Sequence, residues 1–500
     1  MSNNQKMPHT GLRFVEWWSR RKNDSALRLL AAGIVAASLA WALDGVSAAD
    51  PMFRVPVGER QLLLDDTGIT RIEKLQRTMH RPDKRGAVIR PAPAQRGSLQ
   101  IRHAPFWLSR EQVFKVLVAN TAGPTTILRW YTSADGLHWV PGPAPDKTFM
   151  SHHVVYDRQD SNPNRRYKAA RPPEGLAVSA DGMAWTKLNV PGIPSSDEAN
   201  FSYHPRERQF LLTVKRGGPH GRAVAVATSN DFVEWNDFGV GFLADDLDQR
   251  LGRERIQHYL ADPTRLLSLP AHPADYTVDV YNMGLFRYEG LYIGLPAMHH
   301  RHTVRPPGQD DSLFHLVQLV CSRDLKTWRR LGDRQPWLEI SRLGSGAYDS
   351  KIILPPSAPL VRGPGCLDGA DEVSRDQLWF YYTGGKAEPD PDHMAICLAV
   401  LRRDGFVSLD AGENEGQVLT RPFTVPGSQL YVNVAAPRGE LGVEVLNGAG
   451  QVVAQSAPLI GDLQRAPVKW ATGHIAALKD QRASLRFTLR NAQFYSYWLE

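Results

Sequence analysis

The sequence predicts an all-β protein, a five-bladed β-propeller followed by a C-terminal β-sandwich, from three observations. The motif Ser-x-Asp-x-x-x-Trp occurs four times in the middle of the chain. Each copy follows a run of residues with high β propensity, as expected for a strand that enters a turn. After about residue 410 the motif is absent, and short apolar runs alternate with Gly, Pro and Asn turns.

The composition excludes several other classes of protein. The chain has 500 residues, of which 42% are hydrophobic and 22% charged, so it is not a disordered chain. Three cysteines in this length exclude a disulfide scaffold and a zinc-ribbon array. The 59 Lys and Arg residues are scattered among 52 Asp and Glu residues and form no basic stripe, so we expect no nucleic-acid partner.

The first 49 residues have the order of a secretory signal. Basic residues precede an apolar run over residues 29–43, and small residues follow it up to Ala49. The run is shorter than the about 20 residues that span a bilayer core, which favours a cleaved signal over an uncleaved anchor. Both readings stay open, as does twin-arginine export through Arg20 and Arg21. We expect a mature chain that is exported to the periplasm or the exterior and is not stably inserted in a membrane.

The four motif copies mark the blades of the propeller. They begin at Ser133, Ser179, Ser229 and Ser322. The first two spacings between their Trp residues, 46 and 50 residues, match the roughly 40 to 50 residues of a four-stranded blade. The third spacing, 93 residues, holds one blade and a long insertion. We interpret the Ser and Asp residues as turn formers and the Trp residues as packing between blades. A fifth unit over residues 352–406 has the same layout without the Trp.

These units predict four parts of the chain: a signal peptide over residues 1–49, an N-terminal segment over 50–97, the propeller over 98–410 and the sandwich over 411–500. The N-terminal segment contains an apolar strand at residues 61–65 that no blade uses. An open ring would leave unpaired backbone groups at its edges, so we expect this strand to close the ring on the last blade.

The register of the blades predicts a site. The innermost strand of each blade lines a central channel, so residues at one register on all five strands converge. When these strands are aligned on their last large apolar residue, the position five residues earlier holds His103, Ser151, Glu198, Tyr281 and Asp349. Nearby positions on the same face, together with the residue before Glu198, add His153, Asn200, Asp279, Lys351 and Asp197.

Three acids in this set indicate acid–base chemistry. Carboxylates that crowd into a concave site raise one another's pKa, so that one can donate a proton while another stays ionised. Glycoside hydrolysis requires such a pair. We therefore predict Glu198 and Asp349 as the catalytic acid and base, with Asp279 as the residue that tunes or orients them. The alternative is that these acids pair with Lys351 and with Arg residues, or hold a structural cation such as calcium.

The other channel residues are expected to bind substrate. They are Asp197, His103, His153, Asn200, Tyr281 and Lys351. The histidines at 299, 300 and 302 lack the spacing that presents two ligands to one metal, so we predict no metal site and place them in a loop at the rim of the pocket.

Together, the five blades, the motif at the blade ends, the acids on the inner strands and the appended sandwich resemble the five-bladed propeller glycoside hydrolases, both the invertase and levanase group and the arabinanase and β-xylosidase group. The resemblance covers roughly residues 60–500 and is that of a divergent member. It implies hydrolysis of O-glycosidic bonds in a plant- or microbe-derived oligo- or polysaccharide, with carbohydrate as the partner and no cofactor. By position, Asp349, Asp279 and Glu198 look similar to the nucleophile or base, the helper and the general acid of that group.

Two other functions remain open from the sequence. A sialidase-like hydrolase would use a Tyr nucleophile beside several Arg residues, and Tyr281 is placed for that role. A non-catalytic propeller would use its acids only to bind sugar hydroxyls. Two acids that face one pocket about 5 to 10 Å apart favour hydrolysis, whereas acids buried against Arg or Lys favour binding or a structural role.

Overall fold

A computed structural model describes residues 53–92, 97–122, 124–266, 275–304, 312–363, 376–387 and 392–500. The predicted signal over residues 1–49 lies outside these residues. In the described residues the chain forms five propeller blades and a β-sandwich. No helix in this part of the chain is long and apolar enough to span a bilayer.

Each blade is built from consecutive, mostly antiparallel strands. Blade one contains Ser98–Gln100, Phe106–Leu108, Val113–Ala122, Thr125–Ser133 and Val140–Pro141. Blade two contains Val154–Tyr156, Tyr167–Arg171, Gly175–Ser179 and Thr186–Lys187. Blade three contains Ala199–His204, Gln209–Gly218, Gly221–Ser229 and Asn236–Phe242. Blade four contains Tyr276–Tyr288, Leu291–His302, Ser312–Val317, Val320–Ser322 and Arg329–Arg330. Blade five contains Ile352–Leu354, Leu360–Arg362, Gln377–Gly385 and Met394–Arg402.

The Ser-x-Asp-x-x-x-Trp motif forms the turn between the last two strands of a blade. In the first copy the Ser133 hydroxyl accepts a hydrogen bond from the Gly136 amide at 2.9 Å, and Oδ1 of Asp135 accepts from the amides of Leu137 and His138, both at 2.8 Å. The other three copies make the same bonds. The interpretation of Ser and Asp as turn residues is confirmed.

These turns also connect neighbouring blades. The carbonyl of Gly136 accepts a hydrogen bond from the Tyr381 hydroxyl of blade five at 2.8 Å, and the carbonyl of Gly182 accepts from the Trp130 indole of blade one at 2.9 Å. Trp139 packs edge-on against Tyr381 with ring centroids 5.8 Å apart. Gly is required at 182, where φ is +76° and a Cβ would lie 2.8 Å from the Trp130 ring. The predicted packing of a motif Trp between blades is confirmed for Trp139.

The strand that closes the ring differs from the predicted one. The strand Asp83–Ile89 pairs antiparallel with Met394–Arg402 and supplies the outer strand of blade five. The prediction that residues 61–65 do this is wrong, because Gln61–Leu62 pairs with Ala492–Leu499 of the sandwich. The N-terminal segment therefore contributes to both parts of the molecule.

The sandwich contains strands from both ends of the described chain. Its N-terminal strands are Gln61–Leu62, Ile69–Glu73 and Gln76–Met79. Its C-terminal strands are Val407–Ala411, Gly416–Thr420, Phe423–Thr424, Leu430–Asn447, Val452–Ser456, Leu459–Pro467, Trp470–Thr472, Arg482–Arg490 and Ala492–Leu499. They enclose one apolar core that includes Val432, Val443, Leu485 and Phe487. The sandwich thus begins at Val407 on its C-terminal side and is completed by residues 61–79.

The insertion before blade four forms the α-helix Asp246–Leu260, and short 3-10 turns occur at Pro163–Arg165, Gly332–Arg334 and Ile475–Leu478. Asp245 and Asp248 form a reciprocal capping box at the start of the helix. The Gln249 side chain donates to the Val278 carbonyl at 2.7 Å and accepts from the Val278 amide at 2.9 Å. The helix is therefore fixed to the inner strand of blade four.

The carboxylate of Asp404 connects the propeller to the sandwich. Asp404 is fully buried. Its oxygens accept hydrogen bonds from Arg60 at 2.7 Å, Tyr288 of blade four at 2.6 Å, and Asn433 and Ser496 of the sandwich at 3.2 and 2.6 Å. Burial alone would raise the pKa of Asp404, but the charges of Arg60 and Arg403 outweigh it and lower the pKa to about 2.

This network predicts a dependence of stability on pH. The folded-state pKa of Asp404 lies below its ordinary value of 3.8, so the ionised group stabilises the fold above pH 4 and loses this contribution as pH falls towards 2. We expect Asp404→Asn to be less stable than the wild type at pH 7, and the difference to shrink by roughly 2 kcal/mol at pH 2. Urea unfolding at pH 7, 4 and 2 measures it. Asp83→Asn, at an exposed position, is the control, and a difference that does not change with pH would contradict the role of Asp404.

Candidate functional site at the channel mouth

The inner strands of blades three and four begin at one end of the channel, where charged side chains collect around Tyr281. We call this set the mouth cluster. Its members are Arg102, Asp197, Glu198, Lys215, Arg222, Asp279, Tyr281, His299, Arg301 and His315. The predicted residues Glu198, Asp279, Asp197 and Tyr281 are brought together here.

Glu198 forms a bidentate ion pair with Arg102. The Nε and Nη2 atoms of Arg102 donate to the two carboxylate oxygens at 3.0 and 3.1 Å. The Arg102 side chain is 1% exposed, and Nη1 also donates to the Ile101 carbonyl. Burial would raise the pKa of Glu198, but the charge and hydrogen bonds of Arg102 outweigh it and hold the pKa below the ordinary value. Glu198 is therefore ionised at neutral pH.

Asp279 is surrounded by cationic and imidazole donors. The strand register places it directly opposite His299, whose Nδ1 lies 3.1 Å from Oδ1. Arg222 and Arg301 donate to Oδ2 at 2.9 and 3.0 Å. Burial would raise the pKa of Asp279, yet the His299 hydrogen bond and the nearby charges outweigh it and lower the pKa. Asp279 is fully buried, so a ligand in the channel does not reach its carboxylate.

Tyr281 lies near Glu198 and packs edge-on against the ring of His299, the partner of Asp279. The ammonium of Lys215 sits 4.1 Å from the Tyr281 ring centroid and the guanidinium carbon of Arg222 sits 5.8 Å from it. The His315 ring packs against Tyr281 at 4.7 Å. Burial and the Glu198 charge raise the pKa of Tyr281, so the phenol keeps its proton. Lys215 also pairs with the exposed carboxylate of Asp197 at 2.6 Å.

Asp349 is held by other partners. Its Oδ2 atom lies 2.7 Å from the ammonium of Lys84 on the ring-closing strand and accepts from the Tyr382 hydroxyl at 2.8 Å. Both partners belong to blade five, and neither contacts Glu198 or Asp279. Asp349 and Glu198 therefore have different ion-pair partners, and their assignment as the acid and base pair stays a prediction. Lys351 is half-buried at the start of the same blade, where its carbonyl accepts from the His315 amide at 3.0 Å.

Three predicted substrate-binding residues are buried in the propeller. His103 is fully buried, with Nδ1 2.8 Å from the His152 carbonyl and Nε2 accepting from the Leu117 amide at 3.2 Å. Burial lowers the pKa of His103 to about 3 and, with the Arg102 charge, that of His153 to about 4. Asn200 donates to the Pro355 carbonyl and the Ser357 hydroxyl at 3.2 Å each. These contacts give His103 and Asn200 structural roles, and His153 is neutral and buried.

The basic members of the mouth cluster were missed from the sequence. Arg102 stands one position from the aligned His103, and Lys215 and Arg222 lie on or beside the second and third strands of blade three. His299 and His300 lie in the strand Leu291–His302, so the prediction of a rim loop for them is wrong. The cross-strand pairing of Asp279 with His299 is the signal that could have located these residues from the sequence. Among the described residues no group of His, Cys, Asp or Glu has the geometry of a metal site.

No family model and no curated protein matches the sequence. Similar solved structures are glycoside hydrolases. The Bombyx mori GH32 beta-fructofuranosidase is 10% identical, and the match covers 83% of this chain and 93% of that chain at a TM-score of 0.38. The catalytic domain of the Coprinopsis cinerea GH62 alpha-L-arabinofuranosidase is 12% identical, with 64% and 97% covered and a TM-score of 0.39. The Bacillus subtilis family 43 arabinoxylan arabinofuranohydrolase is 8% identical, with 83% and 99% covered and a TM-score of 0.35. These likenesses agree with the resemblance found in the sequence and carry no argument about residues.

The Arg102–Glu198 pair makes a quantitative prediction. Removal of one partner leaves the other charge buried without compensation, so Arg102→Met should cost about 3–5 kcal/mol of unfolding free energy. The double variant Arg102→Met/Glu198→Gln should cost clearly less than the sum of the two single variants. Urea unfolding of the four proteins measures the coupling. The exposed pair Arg71–Glu73 is the control and should show a coupling below about 1 kcal/mol. Additive costs at Arg102 and Glu198 would refute a coupled buried pair.

Proposed function

We propose that the protein is a carbohydrate-binding propeller with a glycoside-hydrolase-like fold, and that the saccharide occupies the channel mouth beside Tyr281. The observation that carries the proposal is the pairing of two of the three mouth acids with guanidinium groups, Glu198 with Arg102 and Asp279 with Arg222 and Arg301. Such pairing keeps the carboxylates ionised and fixed, as in a binding site.

The accessible part of the mouth cluster suits a polyhydroxylated ligand. The side chain of Asp197 is 65% exposed and that of Arg222 is 31% exposed, while Tyr281 is half-buried. Sugar hydroxyls both donate and accept hydrogen bonds, so they match adjacent carboxylate and guanidinium groups. The Tyr281 ring offers an apolar surface for the C–H face of a sugar ring.

Hydrolysis of a glycosidic bond is the second candidate. It is favoured by Glu198, whose side chain is 16% exposed and whose charge acts on Tyr281. Hydrolysis requires one protonated and one ionised carboxyl group, and the pKa values of both acids are lowered. This candidate therefore requires that the substrate breaks the Arg102–Glu198 pair, after which burial would raise the pKa of Glu198 and make it a proton donor.

A sialidase-like reaction receives less support. Arg102 and Arg222 do lie near Tyr281, as that alternative demands. The raised pKa of Tyr281, however, keeps the phenol protonated, whereas a nucleophile must lose its proton.

A glycan array followed by digestion of the glycans that bind separates these functions. We expect the protein without residues 1–49 to bind a saccharide and to release no reducing sugar. Tyr281→Ala should weaken binding at least about tenfold, a loss of about 1.4 kcal/mol, because the ring surface is removed. Tyr131→Ala, which truncates a half-buried Tyr on blade one, is the matched control and should bind as the wild type does.

The same measurements can overturn the proposal. Release of reducing sugar that falls about 10² to 10⁴-fold in Glu198→Gln and Asp279→Asn would replace binding by hydrolysis. Asp349→Asn tests the sequence-based assignment, since loss of turnover in this variant with an unchanged melting temperature would return Asp349 to the catalytic set. Failure to bind any glycan on the array would reject both candidates.

We also propose that the chain is exported, because basic residues, an apolar run and small residues follow one another over residues 1–49. Cleavage is expected next to Ala48 or Ala49, where the small residues end. Intact-mass analysis of protein recovered from outside the cytoplasm measures the new N-terminus. A product that begins at Met1 and sediments with membranes would support the anchor instead.

A further inference from the structure

The end of the channel opposite the mouth cluster holds two adjacent pockets. The inner strand of blade three runs six residues from Glu198 to His204, a distance of about 20 Å at ~3.3 Å per residue. Here one pocket of about 150 Å³ and another of about 120 Å³ share the lining residues Tyr203, Pro205, Ala358 and Pro359. We call the two pockets together the far-end groove.

Aromatic side chains line the groove along its length. Phe106, Trp107 and Tyr156 line the smaller pocket, Tyr288 lines the larger one, and Tyr203 is common to both. Phe106 and Tyr156 stack on each other at 5.4 Å. Tyr203 also has a fixed position, since it stacks on Phe210 at 4.5 Å and its hydroxyl donates to Asp157 at 2.8 Å. Rigid aromatic surfaces lose little entropy when a ring-shaped ligand packs on them.

A buried guanidinium group with unused donors lies in the larger pocket. The Arg403 side chain is 11% exposed, and its Nε and Nη1 atoms have no hydrogen-bond acceptor in the described part of the chain. The nearest carboxylates, those of Glu289 and Asp376, stand at 3.7 and 3.6 Å, beyond hydrogen-bond length. Buried donors of this kind are normally paired, so an acceptor from a ligand would complete them.

Among the described residues, the larger pocket also contains hydrogen-bond acceptors, none of which is bonded to the Nε or Nη1 atom of Arg403. Glu59 and Glu289 line the same pocket, and Gly290 lets Glu59 approach, because a Cβ there would lie 2.4 Å from its Oε1 atom. Burial raises the pKa of both Glu59 and Glu289, and their carboxylate oxygens can accept hydrogen bonds. The larger pocket has three Glu and three Arg residues, which gives it no excess of either charge.

We propose that the far-end groove is a second saccharide site, which binds a neutral oligosaccharide of at least two rings. The aromatic surfaces pack against sugar rings, and the mixed donors and acceptors match hydroxyl groups. A purely apolar ligand would leave the Arg403 donors unpaired. The equal numbers of Glu and Arg residues give an anionic or cationic ligand no net attraction. Two pockets that share a wall fit consecutive rings of one chain.

The experiment uses the chain without residues 1–49 and in the Tyr281→Ala background, in which binding at the mouth is weakened. Cellotriose, xylotriose and 1-kestose are the neutral probes, and trigalacturonic acid is the acidic one. Calorimetry gives the Kd, and hydrogen exchange locates the protected backbone. We expect a neutral trisaccharide to bind and to protect residues 203–207 and 286–290.

Two variants and two controls test the residues. Arg403→Lys keeps the charge but loses the guanidinium donors, and Trp107→Ala removes a ring from the other pocket, so each should raise the Kd at least about tenfold. Arg438→Lys and Trp470→Ala, both in the sandwich, should leave the Kd unchanged. The proposal is overturned if no neutral trisaccharide binds, if trigalacturonic acid binds more tightly, or if neither groove variant changes the Kd while its melting temperature matches that of its control.

Discussion

Donors from distant parts of the chain share the carboxylate of Asp404. Arg60 lies before the propeller, Tyr288 lies in blade four, and Asn433 and Ser496 lie in the sandwich. A buried charge is tolerated only with such partners, so the N-terminal segment, the blade and the sandwich must all be in place together. Arg403, the neighbour of Asp404 in the chain, lies in the same buried region and lines the far-end groove. The shape of that groove therefore depends on how the propeller and the sandwich meet.

The blades could be predicted because their turns follow from local chemistry. Ser and Asp side chains bond to amides two and three residues away, so the motif determines the turn without any distant contact. The ring-closing strand could not be found in this way. Asp83–Ile89 is an edge strand with mostly exposed side chains, so its sequence resembles a polar linker. The apolar run at 62–64 has a different cause, because Leu63 packs in the sandwich core while Leu62 and Leu64 pack against blades four and five.

The candidate site was predicted in part, for a different reason. The register of the inner strands located Glu198, Asp279 and Tyr281, since propeller geometry makes equivalent positions converge. It did not locate Arg102, Arg222 or Arg301, because side chains that reach in from neighbouring positions and strands have no fixed register. The sequence predicted that the carboxylates raise one another's pKa. The cations have the opposite effect, because they lower the pKa of Glu198 and Asp279.

The strand Asp83–Ile89 pairs with residues more than 300 positions later in the chain. The first propeller strand to be synthesised therefore has no partner until the last blade has formed. Until then both ends of the row of blades carry open backbone edges, the kind of surface on which chains aggregate. Contacts this distant in sequence make folding slow, so closure is the late step at which a partly formed ring is exposed to misassembly or to capture by a chaperone.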